Sequence, residues 1–265
     1  MNFEAANRGM WDLPMDSIGG KPHINHIYGN IAYVIIAFVF KICFRYRVDG
    51  RQNIRRFRGK GALIVANHTS FLDVVFFYLA ARPRQWARFV ARDTLFEKGN
   101  WFSGLWISGV GGFPITRDEA DLSAVKRAVK YMKNGELVQI FPEGTRRGKG
   151  NIPPRLHAGC ALMARMAKVP MVPATCRNAE KIKQKGKLIH FPKVSVEYGE
   201  QLYVSDFNFV DKHDRLAAAT WYVMRECFAL SYRCDREEVD MKALFPNDTD
   251  YTELFRGKVV KHKED

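Results

Sequence analysis

The chain has 265 residues, enough for one large α/β domain or two small ones with a sizeable core. Hydrophobic residues make up 47% and charged residues 26% of it, which excludes a wholly disordered chain. Lysine and arginine number 42 against 28 acidic residues, and the net charge of +14 favours a polyanionic partner: nucleic acid, an anionic membrane surface or a phosphorylated substrate.

The N-terminal part combines an apolar run with a basic block. Residues 1–26 lack the order of a signal peptide. The run at 31–44 contains Lys41 and is 14 residues long, shorter than the about 20 that a spanning helix needs. Residues 45–60 then carry seven basic side chains against one acid, and each cation near an anionic leaflet contributes about 1 kcal/mol. The pattern predicts a helix that lies in or dips into the cytoplasmic leaflet, the alternative being a buried core helix followed by a solvated loop.

Strand and helix patterns alternate further along the chain. Short apolar runs typical of strands occupy residues 62–66, 137–141, 171–174 and 194–198. Asp121 can cap a helix whose apolar residues recur every three or four positions, and Gly135 suits its end. Further amphipathic helices are predicted at 157–168 and 216–232. The alternation predicts an α/β fold with a mostly parallel central sheet flanked by helices, preceded by the N-terminal membrane-associating helical segment.

The same patterns divide the chain into three segments. Residues 1–60 form an N-terminal extension with the apolar docking helix and its basic flank, and residues 61–245 form the α/β domain. Residues 246–265 are polar and mixed in charge, so a surface tail is expected there. The five cysteines are odd in number and widely spaced, without a C-x-x-C motif. This spacing favours reduced thiols in a cytosolic setting and predicts neither a disulfide scaffold nor a metal site.

The first predicted strand is followed by the sequence NHTSFLD, which brings a histidine and an aspartate together. His68 stands at a strand-to-helix junction and Asp73 near the first turn of the next helix. If the loop folds back, the carboxylate holds one ring nitrogen and leaves the other able to accept a proton. The alternative is structural, because Ser70 and Asp73 also have the spacing of a capping box.

Other catalytic motifs are missing from the sequence. The chain has no G-x-S-x-G elbow around Ser70 or Ser108, which disfavours a covalent serine enzyme. H-E-x-x-H, Walker A and G-x-G-x-x-G motifs are absent as well, so zinc, nucleotide and dinucleotide chemistry have no motif to support them. A base that activates the hydroxyl of an external acceptor fits these residues better.

Four blocks in this order resemble those of the glycerolipid acyltransferase family. They are NHTSFLD at 67–73, GGFPITRD at 111–118, FPEGTRRGKG at 141–150 and VPMVPATC at 169–176. An H-x4-D pair alone is weak evidence, but the pair with FPEGTR downstream is specific. The resemblance implies a His–Asp general-base transfer of an acyl group from acyl-CoA or acyl carrier protein to the sn-2 hydroxyl of 1-acyl-glycerol-3-phosphate, giving phosphatidic acid.

The resemblance also implies a role for each matching residue. His68 would be the general base and Asp73 its orienter. The acceptor's phosphate and glycerol would bind at Arg117, Glu143, Gly144, Thr145 and Arg146, with Pro173 shaping the pocket near the acyl donor. Guanidinium groups suit the phosphate because they bind it bidentately. No metal or cofactor is implied beyond the thioester co-substrate. The expected place is the cytoplasmic face of the cell membrane, as a peripheral or monotopic protein on an anionic surface, with no nucleic-acid partner.

Several alternatives stay open at this point. Glu143 is either an acceptor for a glycerol hydroxyl, an orienter of the arginines, or part of a purely structural ion pair. The cluster of Trp101, Phe102, Leu105 and Trp106 would line an acyl tunnel, lie at the interface, or pack in the core. The acceptor could instead be another lysolipid, a glycolipid or glycerol-3-phosphate. A thioesterase and a non-catalytic basic membrane-binding protein are the remaining alternatives.

Overall fold

A mixed sheet organises the part of the chain that the structure describes. The computed structural model describes Trp11 and residues 24–82, 85–96, 101–116, 121–147, 153–184, 186 and 188–262, with the backbone alone at 24–29 and 101–103. The strands are β1 (Arg47–Asp49), β2 (Ala62–Ala66), β3 (Ala87–Arg92), β4 (Gly112–Ile115), β5 (Leu137–Ile140), β6 (Met171–Arg177) and β7 (Ser195–Tyr198). Their order is β1-β7-β6-β2-β5-β3-β4, and β6–β7 is the one antiparallel pair in this sheet. The prediction of a mostly parallel α/β sheet is therefore confirmed.

Helices cover both faces of the sheet. They are α1 (Ile24–Phe44), α2 (Gln52–Arg55), α3 (Asp73–Ala81), α4 (Trp101–Gly109), α5 (Leu122–Lys133), α6 (Gly159–Ala167), α7 (Arg215–Tyr232), α8 (Met241–Leu244) and α9 (Thr252–Phe255). Alternate residues of β2 enter different cores: Leu63 and Val65 pack with α5, α6 and α7, and Ile64 packs with α1 and α3. Every residue of β2 is buried, as expected of a central parallel strand.

The chain connections bring three loops together at the carboxyl ends of the central strands. After β2 the chain runs to β3 on one side, whereas after β5 it crosses to β6 on the other side of β2. Val65 pairs with Ile140 and Ala66 with Ala174, so the loops after β2, β5 and β6 leave the sheet as neighbours. The carboxyl ends of such strands are where open α/β sheets bind their ligands.

The predicted helices appear close to their expected positions. The Asp121 side chain accepts the backbone N–H of Ala124 at 2.9 Å and caps α5, which confirms the predicted cap. Gly135 follows the end of α5 with a φ of +85°, a conformation that favours glycine. The helices predicted at 157–168 and 216–232 correspond to α6 and α7.

Helix α1 is longer than the apolar run that predicted it, and its two sides differ. Its inner side packs on α3, where Phe40 and Phe44 contact the Phe76 ring at centroid distances of 5.0 and 5.6 Å. Its outer side exposes Ile31, Val34, Ile35, Phe38, Val39 and Ile42. The helix is therefore part core and part open apolar surface. Among the described residues, no helix combines the length and apolar character needed to cross a bilayer.

Both ends of the predicted central domain extend further than the sequence indicated. Strand β1 pairs with β7 in the common sheet, and Ile54 is fully buried, so residues from the expected N-terminal extension belong to the α/β unit. The expected surface tail after residue 245 is wrong for the described residues. Phe255 is fully buried, and its ring stacks on Trp221 with centroids 5.6 Å apart.

Candidate active site

The loop after β2 folds back so that His68 meets Asp73. Asp73 is the first residue of α3 and is fully buried, and its Oδ2 lies 3.1 Å from Nδ1 of His68. The same oxygen accepts the backbone N–H groups of Thr69 and Ser70, each at 2.8 Å. The carboxylate thus fixes the turn and holds the histidine. The alternative capping box is only half formed, because Ser70 Oγ accepts the backbone N–H of Leu72 at 3.3 Å and not that of Asp73.

This arrangement sets the tautomer of His68. Because Oδ2 of the Asp73 carboxylate is an acceptor, Nδ1 carries the hydrogen that it donates, and Nε2 keeps its lone pair. Among the described residues, Nε2 has no hydrogen-bond partner, and the His68 side chain retains 13% of its exposure. The ring is therefore oriented to accept a proton from a molecule that enters from outside.

The loop after β5 holds His68 from the opposite side. The Phe141 ring stacks on the imidazole with centroids 4.1 Å apart and planes 20° apart. Oε1 of Glu143 accepts the backbone N–H of His68 at 3.0 Å, and the backbone N–H of Arg147 donates to the His68 carbonyl at 2.9 Å. The NHTSFLD and FPEGTR blocks therefore build one structure, in which the ring face and both backbone groups of the histidine are fixed.

Gly144 gives this second loop its shape. Its φ is +65°, in the left-handed region that favours glycine, and its N–H closes a turn onto the carbonyl of Phe141 at 3.0 Å. A Cβ atom added there would lie 3.2 Å from Nε2 of His157, which is tighter than an ordinary contact. The turn directs the Glu143 side chain towards His68 while the chain continues to Arg147.

Glu143 forms a buried ion pair with Arg147. Their Oε2 and Nε atoms are 2.7 Å apart, and the Glu143 side chain is fully buried. The Arg147 guanidinium lies between the Phe228 and Phe245 rings, 4.6 and 4.5 Å from their centroids. Both oxygens of Glu143 thus have partners within the fold, which favours the structural ion pair among the roles left open by the sequence.

Burial raises the pKa of two groups near His68 and Asp73, the Glu143 carboxyl and the Cys176 thiol. Burial raises the pKa of Glu143 to about 7, the Asp73 charge adds to the rise, and Arg147 opposes it. On β6, burial and then the neighbouring Asp73 carboxylate raise the pKa of the Cys176 thiol well above its ordinary value. The thiol therefore stays protonated at neutral pH and is not a nucleophile.

The remaining predicted residues occupy different positions. Arg146 is partly exposed and Thr145 exposed on the loop after β5, and Arg146 forms no hydrogen bond or ion pair with the described part of the chain. Pro173 does not join the cluster, because it is buried inside β6 opposite Val65. Arg117 lies outside the described residues.

The aromatic cluster on α4 is only partly described. Leu105 and Trp106 are 40% and 42% exposed, which disfavours core packing among the alternatives for these two residues. The side chains of Trp101 and Phe102 lie outside the described residues. Phe71 lies three residues after His68 in the same loop and is 63% exposed, so it adds apolar surface to that loop.

A family comparison bears directly on this constellation. The acyltransferase family model matches residues 45–177, half of the chain, and the match contains the loops after β2 and β5. The chain belongs to the acyltransferase family.

Individual relatives of this acyltransferase agree with the family assignment. The 1-acyl-sn-glycerol-3-phosphate acyltransferase of Bacillus subtilis is 32% identical over 60% of this chain and 76% of that protein. The enzyme of the same name from Streptococcus pneumoniae is also 32% identical, over 54% of this chain and 51% of that protein. In three dimensions, the chain resembles the crystal structure of a 1-acyl-sn-glycerophosphate acyltransferase from Thermotoga maritima. That match has a TM-score of 0.54 and 20% identity over 86% of this chain and 89% of the other, which shows a shared fold.

Sequence reasoning about this acyltransferase missed two supports of the histidine. Phe141 belongs to a predicted strand and to the FPEGTRRGKG block, but neither indicates that its ring stacks on His68. Arg147 belongs to the same block, which does not by itself show that it pairs with Glu143. The i,i+4 spacing of Glu143 and Arg147 is the signal in the sequence that could have indicated this ion pair.

Proposed function

We propose that this chain transfers a fatty acyl group from acyl-CoA or acyl carrier protein to the sn-2 hydroxyl of 1-acyl-glycerol-3-phosphate, which gives phosphatidic acid. The observation that carries the proposal is the His68–Asp73 pair at the C-terminal edge of the sheet, with the pair's Nδ1–Oδ2 distance of 3.1 Å. The names of both bacterial relatives support the same acceptor.

In this mechanism His68 is the general base. Nε2 takes the proton of the acceptor hydroxyl as its oxygen attacks the thioester carbonyl, while Asp73 stabilises the imidazolium that forms. Collapse of the tetrahedral intermediate breaks the C–S bond, and the imidazolium returns the proton to the departing sulfur. The products are an ester and a free thiol. Because a thiolate leaves readily, the proposed reaction needs no metal, no cofactor and no covalent acyl-enzyme.

The proposed acceptor site combines Arg117, Glu143, Gly144, Thr145 and Arg146, without Pro173, which is buried inside β6. Arg146 is the described residue best suited to the phosphate, because Arg147 beside it is already paired with Glu143. Glu143 contributes to this site by positioning, since its oxygens already contact His68 and Arg147. A guanidinium donates two parallel hydrogen bonds to a phosphate, which fixes the acceptor as well as attracting it.

Replacing Arg146 tests the acceptor site. A charge-assisted hydrogen bond contributes about 1.5–3 kcal/mol, so we expect Arg146→Ala to raise the KM for lysophosphatidic acid about 10- to 100-fold. The KM for the acyl donor and the midpoint of chemical unfolding should stay near wild-type values. Arg165→Ala on the exposed side of α6 is the matched control and should change neither KM. An unchanged acceptor KM in Arg146→Ala would remove this residue from the site.

The proposal places the protein on the cytoplasmic face of the cell membrane, as a peripheral or monotopic protein. The acceptor is a lipid, and two described surfaces suit a leaflet: the exposed outer side of α1 and the exposed Phe71 on the loop after β2. Apolar residues buried at the interface bind membranes in proportion to their area. Flotation with vesicles tests the placement, and recovery of the wild-type chain in the aqueous fraction would contradict it.

Thiol release from palmitoyl-CoA by the purified full-length protein in detergent tests the activity. We expect release only when 1-acyl-glycerol-3-phosphate is present, because the hydroxyl of the acceptor is the nucleophile. Phosphatidic acid should accumulate in equal amount, measured by mass spectrometry. The same assay with acyl carrier protein as donor decides between the two thioesters.

Each other outcome corresponds to a distinct alternative. Release without an acceptor would indicate a thioesterase, and release that requires a different lysolipid, a glycolipid or glycerol-3-phosphate would change the assigned acceptor. A protein that binds vesicles but releases thiol under none of these conditions would be a non-catalytic basic membrane-binding protein.

A further inference from the structure

Residues 178–193 connect β6 to β7 and form what we call the β6–β7 loop. The structure describes this loop at 178–184, 186 and 188–193. It lies outside the His68 site, and the mechanism above does not use it. Its base is buried and its tip is exposed, although both carry apolar side chains, and an exposed apolar tip indicates a partner.

The base of the loop is built into the fold. Ala179 and Ile182 are buried in the core on the α1 side of the sheet. The side-chain amide of Asn178 donates to the carbonyl of Lys193 at 2.9 Å, and the backbone N–H of His190 donates to the carbonyl of Ile182 at 2.9 Å. These contacts close the loop on itself and fix the position from which its tip projects.

The far side of the loop contacts the end of α1. Nη2 of Arg45 donates to the carbonyl of Phe191 at 2.8 Å, and the Phe191 ring lies 5.6 Å from the Phe44 ring between centroids. The backbone N–H of Val194 donates to the carbonyl of Phe44 at 3.1 Å. The loop is thus continuous with the helix whose outer side is open and apolar.

The tip of the loop exposes three large apolar side chains within four positions. Leu188, Ile189 and Phe191 are 84%, 58% and 55% exposed. Exposed lysines stand in the same loop at Lys181, Lys183 and Lys193, whereas the described part of the loop contains one acid, Glu180. Exposed apolar residues on a loop that carries one sign of charge indicate an interaction surface, and the excess of cations fits an anionic partner.

We propose that the β6–β7 loop is a second membrane contact, which inserts Leu188, Ile189 and Phe191 into an anionic leaflet. A leaflet accommodates a projecting apolar tip, and lysines beside the tip reach the headgroups with their ammonium groups. Contact with Phe44 places the loop next to the C-terminal end of α1. The inference rests on the proposed function, because a lipid acceptor requires the protein to work at a membrane.

The apolar contact is tested with the full-length protein and vesicles of phosphatidylcholine containing phosphatidylglycerol. We expect the combined changes Leu188→Ser, Ile189→Ser and Phe191→Ser to lower the partition constant, measured by vesicle titration, about 10- to 100-fold. A titration resolves this loss even while α1 still binds. The matched control changes Met166, Phe209 and Val259 to serine, because these exposed apolar residues lie with the helices on the other face of the sheet. It should bind as the wild type does.

The contribution of the lysine charges is tested separately, by comparing anionic with neutral vesicles. Replacing Lys181, Lys183 and Lys193 by glutamine should lower the partition constant on anionic vesicles about fivefold per residue, at about 1 kcal/mol per charge. On vesicles of phosphatidylcholine alone the same variant should match the wild type. Turnover of a short-chain acceptor below its micelle concentration should be unchanged in both loop variants, which shows that they are folded.

Three outcomes would overturn the inference or separate it from the proposed function. Partition constants of the apolar variant equal to wild type would show that the tip does not enter the leaflet. Unchanged partition with a raised KM for acyl carrier protein but not for acyl-CoA would make the loop a docking site for that acidic protein. If the wild type transfers no acyl group in detergent, the proposed function fails, while the vesicle titration still reports on the loop.

Discussion

We expect His68→Ala to lower kcat for acyl transfer about 10²- to 10⁴-fold, the range that a positioned general base contributes. The variant removes the imidazole whose Nδ1 contacts the Asp73 carboxylate and whose Nε2 accepts the proton in the proposed mechanism. The folded structure should tolerate the change, because the backbone N–H and carbonyl of residue 68 keep their partners on Glu143 and Arg147. Thiol release and phosphatidic acid formation, measured under single-turnover conditions, give the loss in the chemical step.

A double variant tests whether the two residues act as one unit. Asp73→Asn alone should also lower kcat, because the amide no longer stabilises the imidazolium. If Asp73 works through His68, combining Asp73→Asn with His68→Ala should cost little more than His68→Ala alone. If the loss of kcat in the double variant equals the product of the two single losses, Asp73 acts independently, through the turn that it caps at Thr69 and Ser70.

The control for His68 is His213, an exposed histidine on the loop before α7. His213→Ala should leave kcat, the unfolding midpoint and the vesicle partition constant unchanged. Vesicle binding should also be unchanged in His68→Ala, since the His68 side chain is only 13% exposed and offers little surface to a leaflet. A His68→Ala variant that retained more than a tenth of wild-type kcat would exclude the general-base role.

The sequence predicted the central elements of the fold because their signals are local. Strand β2 is apolar throughout, and α5 carries its cap at Asp121 and its stop at Gly135. Strand β3 was missed because its signal is not local: it contains the buried Arg88, which pairs with Glu136 at 2.7 Å. A charged residue inside a strand can be interpreted only when its distant partner is known. Strand β1 has three residues and lies at the edge of the sheet, so it offers too little pattern to detect.

The candidate site was predictable in its chemistry and unpredictable in its packing. The spacing of His68 and Asp73 and the FPEGTR block indicated the general base. The stacking of Phe141 on His68 depends on the register that pairs Val65 with Ile140 across two strands far apart in sequence. The same limit applies to the buried tail, because Phe255 reaches its partners on α7 only through the tertiary fold.

Glu143→Ala should cost about 3–5 kcal/mol of unfolding free energy, the typical loss when one partner of a buried ion pair is removed. Arg147 would keep its charge between two aromatic rings without a carboxylate, and the backbone N–H of His68 would lose its acceptor. Chemical denaturation at neutral pH measures the loss. Because the two residues form one unit, Glu143→Ala combined with Arg147→Ala should cost less than the sum of the single variants.

An exposed ion pair supplies the matched control for Glu143. Glu253 and Arg256 form an i,i+3 pair on α9 with side chains 76% and 69% exposed. Glu253→Ala should change the unfolding free energy by less than about 0.5 kcal/mol, since surface pairs contribute little. Equal effects of Glu143→Ala and Glu253→Ala would show that the buried pair does not stabilise the loop under His68.

Titration of Glu143 should make the unfolding free energy depend on pH. Loss of packing around the side chain alone would not have this effect. Burial raises its pKa in the folded state from 4.5 to about 7, so between these values folding takes up a proton. The contribution of Glu143 is therefore fully present below pH 4.5 and is lost as the pH rises through 7. At 1.36 kcal/mol per pKa unit, the difference in unfolding free energy between the wild type and Glu143→Gln should fall by about 3 kcal/mol over this interval.

Glu143→Gln is the right reference for this measurement, because glutamine keeps the size of the side chain and an oxygen for the N–H of His68 without titrating. Urea denaturation of both proteins at pH 4.5, 6 and 8 gives the difference directly, and subtraction removes the other titrating groups common to both. A difference independent of pH would mean that Arg147 keeps Glu143 ionised throughout. In that case the support beneath His68 would be a permanent ion pair, and loop stability would not change across the physiological range.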